Sequence, residues 1–254
     1  MSSITWTRDA LLSSAKRLAG ACWRVVESQS RGITLKLTDT LEEQLVLERV
    51  IEATKPPVPE AARHLHYLLF TPFRYSPYPT ASRFRRAGVS AGVFYASEHS
   101  ETAIAETVFY RLLFFFESPG TPWPKNPFDF RAFEARFDAA RASDLTEPPL
   151  DAHHRHWTDP VDYTFCLSFA DTAREAGIQA IRYQSVRDPQ ARANLALLDV
   201  AALVPAQRFA EETWILHFSN AGVRAICESP RRSLAFDRTT FVADPRAKEW
   251  RWER

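Results

Sequence analysis

A carboxylate in the middle of an apolar helical stretch calls for a chemical explanation. Glu106 sits in Ala103-Ile104-Ala105-Glu106-Thr107-Val108-Phe109-Tyr110-Arg111. Such a group is seldom placed among apolar neighbours without a partner or a task. Held near a reacting centre, it could stabilise a developing cation, as carboxylates do in glycosidic cleavage. A glutamate on the solvent face of an amphipathic helix fits the same string. Arg111, five positions on, is off the three- and four-residue spacings of a helical ion pair.

Three further strings could supply partners. Arg74 in Pro72-Phe73-Arg74-Tyr75 and Arg83 in Ser82-Arg83-Phe84 lie beside aromatic residues. A guanidinium fork fixed in that way suits phosphate or pyrophosphate; an ordinary surface arginine stacked on a ring is the plainer alternative. Tyr95 ends the strand-like Gly92-Val93-Phe94-Tyr95-Ala96-Ser97. Its ring could stack on a flat heteroaromatic ligand, or it could be a core tyrosine with its hydroxyl satisfied at the sheet rim. Ser185, in Ile181-Arg182-Tyr183-Gln184-Ser185-Val186-Arg187-Asp188 ahead of Asn194-Leu195-Ala196-Leu197-Leu198, could orient an arginine or a carboxylate. It could equally be a turn serine bonding its own backbone. No Gly-x-Ser-x-Gly frames it, which argues against a nucleophile elbow. Asp151, His153, His154 and His156 form the one histidine cluster; without a strand or helix to frame them they read as solvated loop residues rather than metal ligands. Arg83, Arg85 and Arg86 read as a local loop rather than a nucleic-acid patch.

These residues must be positioned by short strands and helices. Thr40-Leu41-Glu42-Glu43 is a capping box that opens a helix carrying Leu41, Leu45, Val50 and Ile51, ended by Lys55-Pro56-Pro57. A second short helix is predicted from Glu60 to about Leu69, closed by Pro72. Strand pattern covers residues 93–96, with a helix capped by Ser100 after it. Residues 128–137 alternate, with a slip at Ala132-Phe133 that suggests a bulge. Asp159-Pro160 predicts a helix start and Gly177 its end. Strands follow at residues 178–186, 195–204, 214–218 and 223–227, with Ser219-Asn220-Ala221-Gly222 as a hairpin turn. The pattern predicts an α+β fold with a mixed or antiparallel sheet, flanking helices and a partly helical N-terminal lead-in.

Composition narrows the function classes. The chain has 254 residues, with 45% hydrophobic and 25% charged, an ordinary globular balance. The formal net charge of +1 gives no field to draw in nucleic acid or an anionic membrane. Among the seven glycines none has the spacing of a dinucleotide fingerprint or a Walker loop. A nucleotide ligand would therefore be gripped by side chains and strand backbone. Cys22, Cys166 and Cys227 are too few and too far apart for a disulfide framework or a Cys-based zinc site. No apolar run approaches the length of a membrane span, and a reducing cytoplasm is the expected location.

Taken in order, Arg74, Tyr95, Glu106 and Ser185, with the strings around them, resemble the motifs of the RES-domain family, named for an Arg, a Glu and a Ser. The similarity runs over roughly residues 70–205. Trp23-Arg24-Val25-Val26-Glu27-Ser28-Gln29, Leu41-Glu42-Glu43-Gln44 and Leu68-Leu69-Phe70-Thr71-Pro72-Phe73-Arg74-Tyr75 are similar to the longer ParT-type subgroup. The resemblance implies a lead-in over residues 1–69 packed on a catalytic domain over 70–254, with a fold similar to ADP-ribosyltransferase toxins. It implies a bacterial toxin that consumes NAD+ as a substrate, needs no metal, and is restrained by an Xre/ParS-type antitoxin. ParT-type members ADP-ribosylate phosphoribosyl pyrophosphate synthetase; other members hydrolyse or phosphorolyse NAD+. In that chemistry Glu106 would stabilise the ribosyl cation, Arg74 would clamp the pyrophosphate, Tyr95 would stack near nicotinamide, and Ser185 would orient Arg74 or Glu106, with Arg83 a further cofactor-binding candidate. Gln184 departs from the proline that many relatives carry before the serine. A module that only binds a regulator, without catalysis, is the reading of a different class.

Overall fold

The computed structural model describes residues 6–28 and 37–253. Among these residues eight strands form one sheet, β1 (Lys16–Glu27), β2 (Phe94–Ser97), β3 (Phe128–Asp144), β4 (Ala180–Gln184), β5 (Ala193–Leu197), β6 (Glu211–Ser219), β7 (Gly222–Cys227) and β8 (Arg232–Asp237), in the order β1-β2-β5-β4-β3-β6-β7-β8. The β1 strand also pairs along β3, so the first five strands close into a ring and β6 to β8 continue from its side. Only β3 and β4 run parallel; every other pair is antiparallel. The architecture is α+β with a mixed sheet, as the sequence pattern predicts.

The strand Ala193–Leu197 is buried throughout, whereas Glu211–Ser219 alternates buried residues with exposed or half-buried ones. Ala132 and Phe133 are both fully buried, yet the register with β1 passes through them unbroken, Ala132 opposite Val25 and Phe133 opposite Arg24. The expected bulge is therefore absent at that point. Ala132 packs into one core cluster and Phe133 into another on the opposite face, so two successive residues are apolar without a slip in pairing.

Among the described residues six α-helices surround the sheet: α1 (Arg8–Ser14), α2 (Leu41–Thr54), α3 (Tyr67–Arg74), α4 (Ser100–Glu117), α5 (His154–Trp157) and α6 (Thr164–Glu175). The capping box at Thr40 and Glu43 is formed, and α2 ends at Lys55 as predicted. The helix expected from residue 60 is instead a single 3-10 turn (Glu60–Ala62) followed by α3, which contains Pro72 rather than stopping before it. The donor that proline lacks is one bond in a helix anchored by buried Leu69 and Phe73. The helix expected at Asp159 starts later, at Thr164. Asp159 accepts the backbone N–H of Val161 and Asp162, and Asp162 accepts that of Thr164, so two successive Asx turns delay helix entry. Gly177, at φ +66°, ends α6 as the sequence predicts.

The α4 helix divides cleanly. Ile104, Val108, Phe109, Leu112 and Phe115 bury into the core formed with β3, β6 and β7, while Ala103, Glu106, Thr107, Tyr110, Arg111 and Phe114 face a cleft. The spacings of three and four within each set are those of one helix face. The hairpin turn at Asn220-Ala221 joins β6 and β7, with Ser219 opposite Gly222. Residues of β1, in the lead-in, pair along β3 from Lys16 to Glu27, a strand that sequence pattern did not mark. Among the described residues no helix is long and apolar enough to cross a membrane.

Candidate functional site

The cleft facing α4 has a volume of about 610 Å³, in the usual range for small-molecule and cofactor sites. Its walls come from β1 (Trp23, Arg24, Val25), the loop before β2 (Ser82, Arg83), β2 (Tyr95), α4 and the end of β4 (Tyr183). Gly92 makes this arrangement possible. A Cβ there would fall 2.0 Å from the Pro72 carbonyl oxygen, so only glycine lets the approach to β2 pass α3.

Glu106 is fixed on this wall. Its Oε1 accepts a hydrogen bond from the Ser185 hydroxyl at 2.7 Å and another from Asn194 Nδ2 at 2.7 Å. Neither bond uses Oε2. Asn194 is itself oriented, since its Oδ1 accepts from the Ser97 hydroxyl at 2.6 Å. Ser185, buried at the exit of β4, also accepts the backbone N–H of Arg187 and Asp188 at 3.2 and 3.1 Å. The turn reading and the orienting reading of Ser185 thus hold together: the turn places the hydroxyl, and the hydroxyl places the carboxylate. These charge-assisted bonds hold the carboxylate in one orientation.

Tyr95 lines the cleft with its ring while its hydroxyl bonds the Ser82 hydroxyl at 2.9 Å and accepts the Phe84 N–H at 3.0 Å. Burial pushes the Tyr95 phenol above its ordinary range. The phenol of Tyr183 is pushed up likewise, first by burial and then by nearby Glu106. These side chains therefore act as neutral hydroxyls and ring faces, not as bases.

Two of the arginines that line the cleft have no carboxylate within 4.0 Å among the described residues. Arg83 donates to the Trp157 carbonyl at 2.6 Å and lies over the Tyr163 ring at 4.5 Å. Arg24 donates to the Tyr95 carbonyl at 2.7 Å and lies over Phe94 at 5.0 Å; burial pulls its pKa down. Ring faces and carbonyls hold both in place while leaving their charge uncompensated, which suits an anionic ligand.

Arg74 is placed elsewhere. It lies at the end of α3, outside the cleft lining, paired to Glu52 at 2.7 Å and donating to the Pro56 carbonyl at 2.6 Å. It ties α2 to α3. The structure thus brings Glu106, Tyr95, Ser185 and Arg83 together and leaves Arg74 apart. Sequence reasoning gave no role to Arg24 or Asn194. Their signals were a single cation between Trp23 and Val25, and a single amide at the head of an apolar strand. Among the described residues no group of three or more His, Cys, Asp or Glu side chains could hold a metal ion.

With this geometry in view, a family model described as the RES domain matches residues 57–219. No curated protein matches the chain. Among solved structures, the chain is similar to the MbcT-MbcA toxin-antitoxin complex of M. tuberculosis, at 10% identity over 92% of this chain and 95% of that one, with a TM-score of 0.45. That likeness is too distant to carry an argument about function.

Proposed function

Because the chain belongs to the RES-domain family, we propose that it is an NAD+-consuming toxin of a bacterial toxin–antitoxin pair. The observation that carries the proposal is the pairing, in one cleft, of a carboxylate held by two hydrogen bonds with two arginines that have no carboxylate partner. NAD+ needs both: cations for its pyrophosphate, and a fixed anion beside the ribose when the bond to nicotinamide breaks.

The chemistry runs as follows. The bond between ribose C1′ and the nicotinamide nitrogen breaks, and its electron pair leaves with nicotinamide, which departs neutral. Positive charge spreads over C1′ and the ring oxygen of the ribose. The Glu106 carboxylate, already oriented by Ser185 and Asn194, stabilises that charge without having to reorganise. Arg24 and Arg83 hold the pyrophosphate, and the Tyr95 ring stacks near nicotinamide. A nucleophile then bonds to C1′ and gives up its proton.

The finer proposal is that the nucleophile belongs to a protein, so that ADP-ribose is transferred rather than released. It is supported by α2, whose Leu41, Leu45, Val46, Val50 and Ile51 are all exposed, an apolar surface of the kind that docks a macromolecule. Following the subgroup resemblance, the acceptor is phosphoribosyl pyrophosphate synthetase and the restraining partner an Xre/ParS-type antitoxin, both acting in the cytoplasm. The test is incubation of the purified chain, freed of antitoxin, with adenine-labelled NAD+ and bacterial lysate. Nicotinamide release with label on one protein supports transfer. Release with only free ADP-ribose or its phosphate makes the chain a glycohydrolase or phosphorylase. No release at all leaves a binding module.

A further inference from the structure

The C-terminal segment beyond residue 219 lies outside the RES match, yet it reaches the cleft through one buried carboxylate. Asp244, 2% exposed, pairs with Arg187 Nη1 at 2.5 Å, and Arg187 is 3% exposed and lines the cleft. Arg246 approaches the same carboxylate, Nη2 to Oδ2 at 2.9 Å and Nε to Oδ1 at 3.1 Å. Both arginines also donate to the Pro160 carbonyl, at 2.8 and 3.0 Å. Both lie over the Phe109 ring, Arg187 at 3.8 Å and Arg246 at 5.1 Å. Two cations thus share one carboxylate, one carbonyl and one ring.

We propose that Asp244 is a positioning residue: by anchoring Arg187 it latches the Ser185–Asp188 turn, and through that turn it sets the Glu106 carboxylate. The path is short. The Arg187 N–H donates to the Ser185 hydroxyl, and that hydroxyl donates to Glu106. Removing the Asp244 charge leaves the Arg187 guanidinium, 2% exposed, without a counter-ion, whether or not the 30% exposed Arg246 stays beside it. Arg187 then moves off and takes the turn with it. Asp244 also caps the closing 3-10 turn (Pro245–Glu249) by accepting the Arg246 N–H at 2.8 Å. Asparagine preserves that cap, which separates latch from cap. The role in catalysis rests on the NAD+-cleavage reading; the latch itself does not.

Three full-length variants test it: Asp244→Asn, Arg246→Gln, and the two combined. The double variant removes one charge of each sign, so the cluster keeps its net charge while Arg187 still loses its anchor. The first readout is amide hydrogen exchange across residues 185–188. It should be at least about tenfold faster in Asp244→Asn and in the double variant, and parental in Arg246→Gln. The second is nicotinamide release, whose kcat should fall about tenfold to a hundredfold in the same two proteins, with KM within about threefold. Should Asp244→Asn not fold, the double variant carries the test. Parental exchange in the folded variants overturns the latch. Faster exchange with parental kcat overturns its part in catalysis. Should the parent release no nicotinamide, the NAD+-cleavage reading fails, and exchange alone decides the latch.

Discussion

Replacing Glu106 by glutamine isolates the charge from the shape. In the parent, Oε1 takes both hydrogen bonds, from Ser185 and Asn194 at 2.7 Å each. The glutamine carbonyl oxygen can take the same two bonds, so the side chain stays in place and folding stability changes by less than about 1 kcal/mol. What is lost is the anion. A unit charge about 4 Å from a developing cation, at an effective dielectric of about 20, is worth roughly 4 kcal/mol. Each ~1.4 kcal/mol is tenfold in rate, which puts the loss at about 10²–10³. The assay is steady-state nicotinamide release, with NAD+ affinity measured alongside by calorimetry. The expected pattern is a fall in kcat larger than the rise in the dissociation constant, since the positive charge sits on the nicotinamide ring in bound NAD+ and moves onto C1′ and the ribose ring oxygen, against the carboxylate, only as the bond breaks. A folded Glu106→Gln protein with kcat within about threefold of the parent would take the Glu106 charge out of the mechanism.

The two cleft arginines should behave alike, and Arg74 differently. Arg24→Lys and Arg83→Lys each keep a charge but lose the fork, so calorimetric NAD+ affinity should weaken about tenfold, whereas Arg74→Lys, acting on the Glu52 contact, should leave affinity parental; equal effects at all three would remove the distinction. Acid should destabilise the fold through Asp188 and Asp244. Burial alone would raise both carboxyls, but hydrogen bonds from Arg192 and Thr102 on Asp188, and from Arg246 on Asp244, hold them below the ordinary carboxylate range. The unfolded chain therefore binds more protons than the native one just below its own carboxyl pKa of about 3.9, and stability is lost as pH falls from there through the folded values. Urea midpoints that stay level from pH 7 to pH 3 would contradict this. All three cysteines are buried, and desolvation pushes the Cys22 thiol up to about 12. Native protein should resist thiol labelling until it unfolds, and rapid stoichiometric labelling in buffer would count against that packing.

Local chemistry was the legible part of this sequence. A carboxylate in an apolar helix drew attention to Glu106, which the structure places on the cleft wall, and the turn at Ser185 carries its own reason in the hydroxyl that serves both backbone and carboxylate. The capping box at Thr40 and the Ser219-to-Gly222 hairpin follow from near-neighbour hydrogen bonding alone. What depended on distant chain was not legible. The β1 strand was hidden because Cys22 is its only fully buried residue and the neighbours that line the cleft, Trp23, Arg24 and Val25, are each half-buried, a mixture with no period of two. Arg74 looked like a pyrophosphate clamp because arginine beside aromatics has no direction written into it. Its partner, Glu52, lies 22 positions earlier on a different helix. The Asp159 start failed for the opposite reason, since a good N-cap residue is also a good Asx-turn residue and only the chain beyond it decides between them.

The proposed function puts NAD+ in the α4 cleft with its nicotinamide ribose against Glu106. A crystal structure of the Glu106→Gln protein with NAD+ tests it most directly, because that variant keeps the pocket while slowing turnover. The account predicts intact NAD+ with ribose C1′ beside residue 106, the pyrophosphate between Arg24 and Arg83, and nicotinamide on the Tyr95 ring. NAD+ seated elsewhere, or turned so that adenine lies at residue 106, would contradict it.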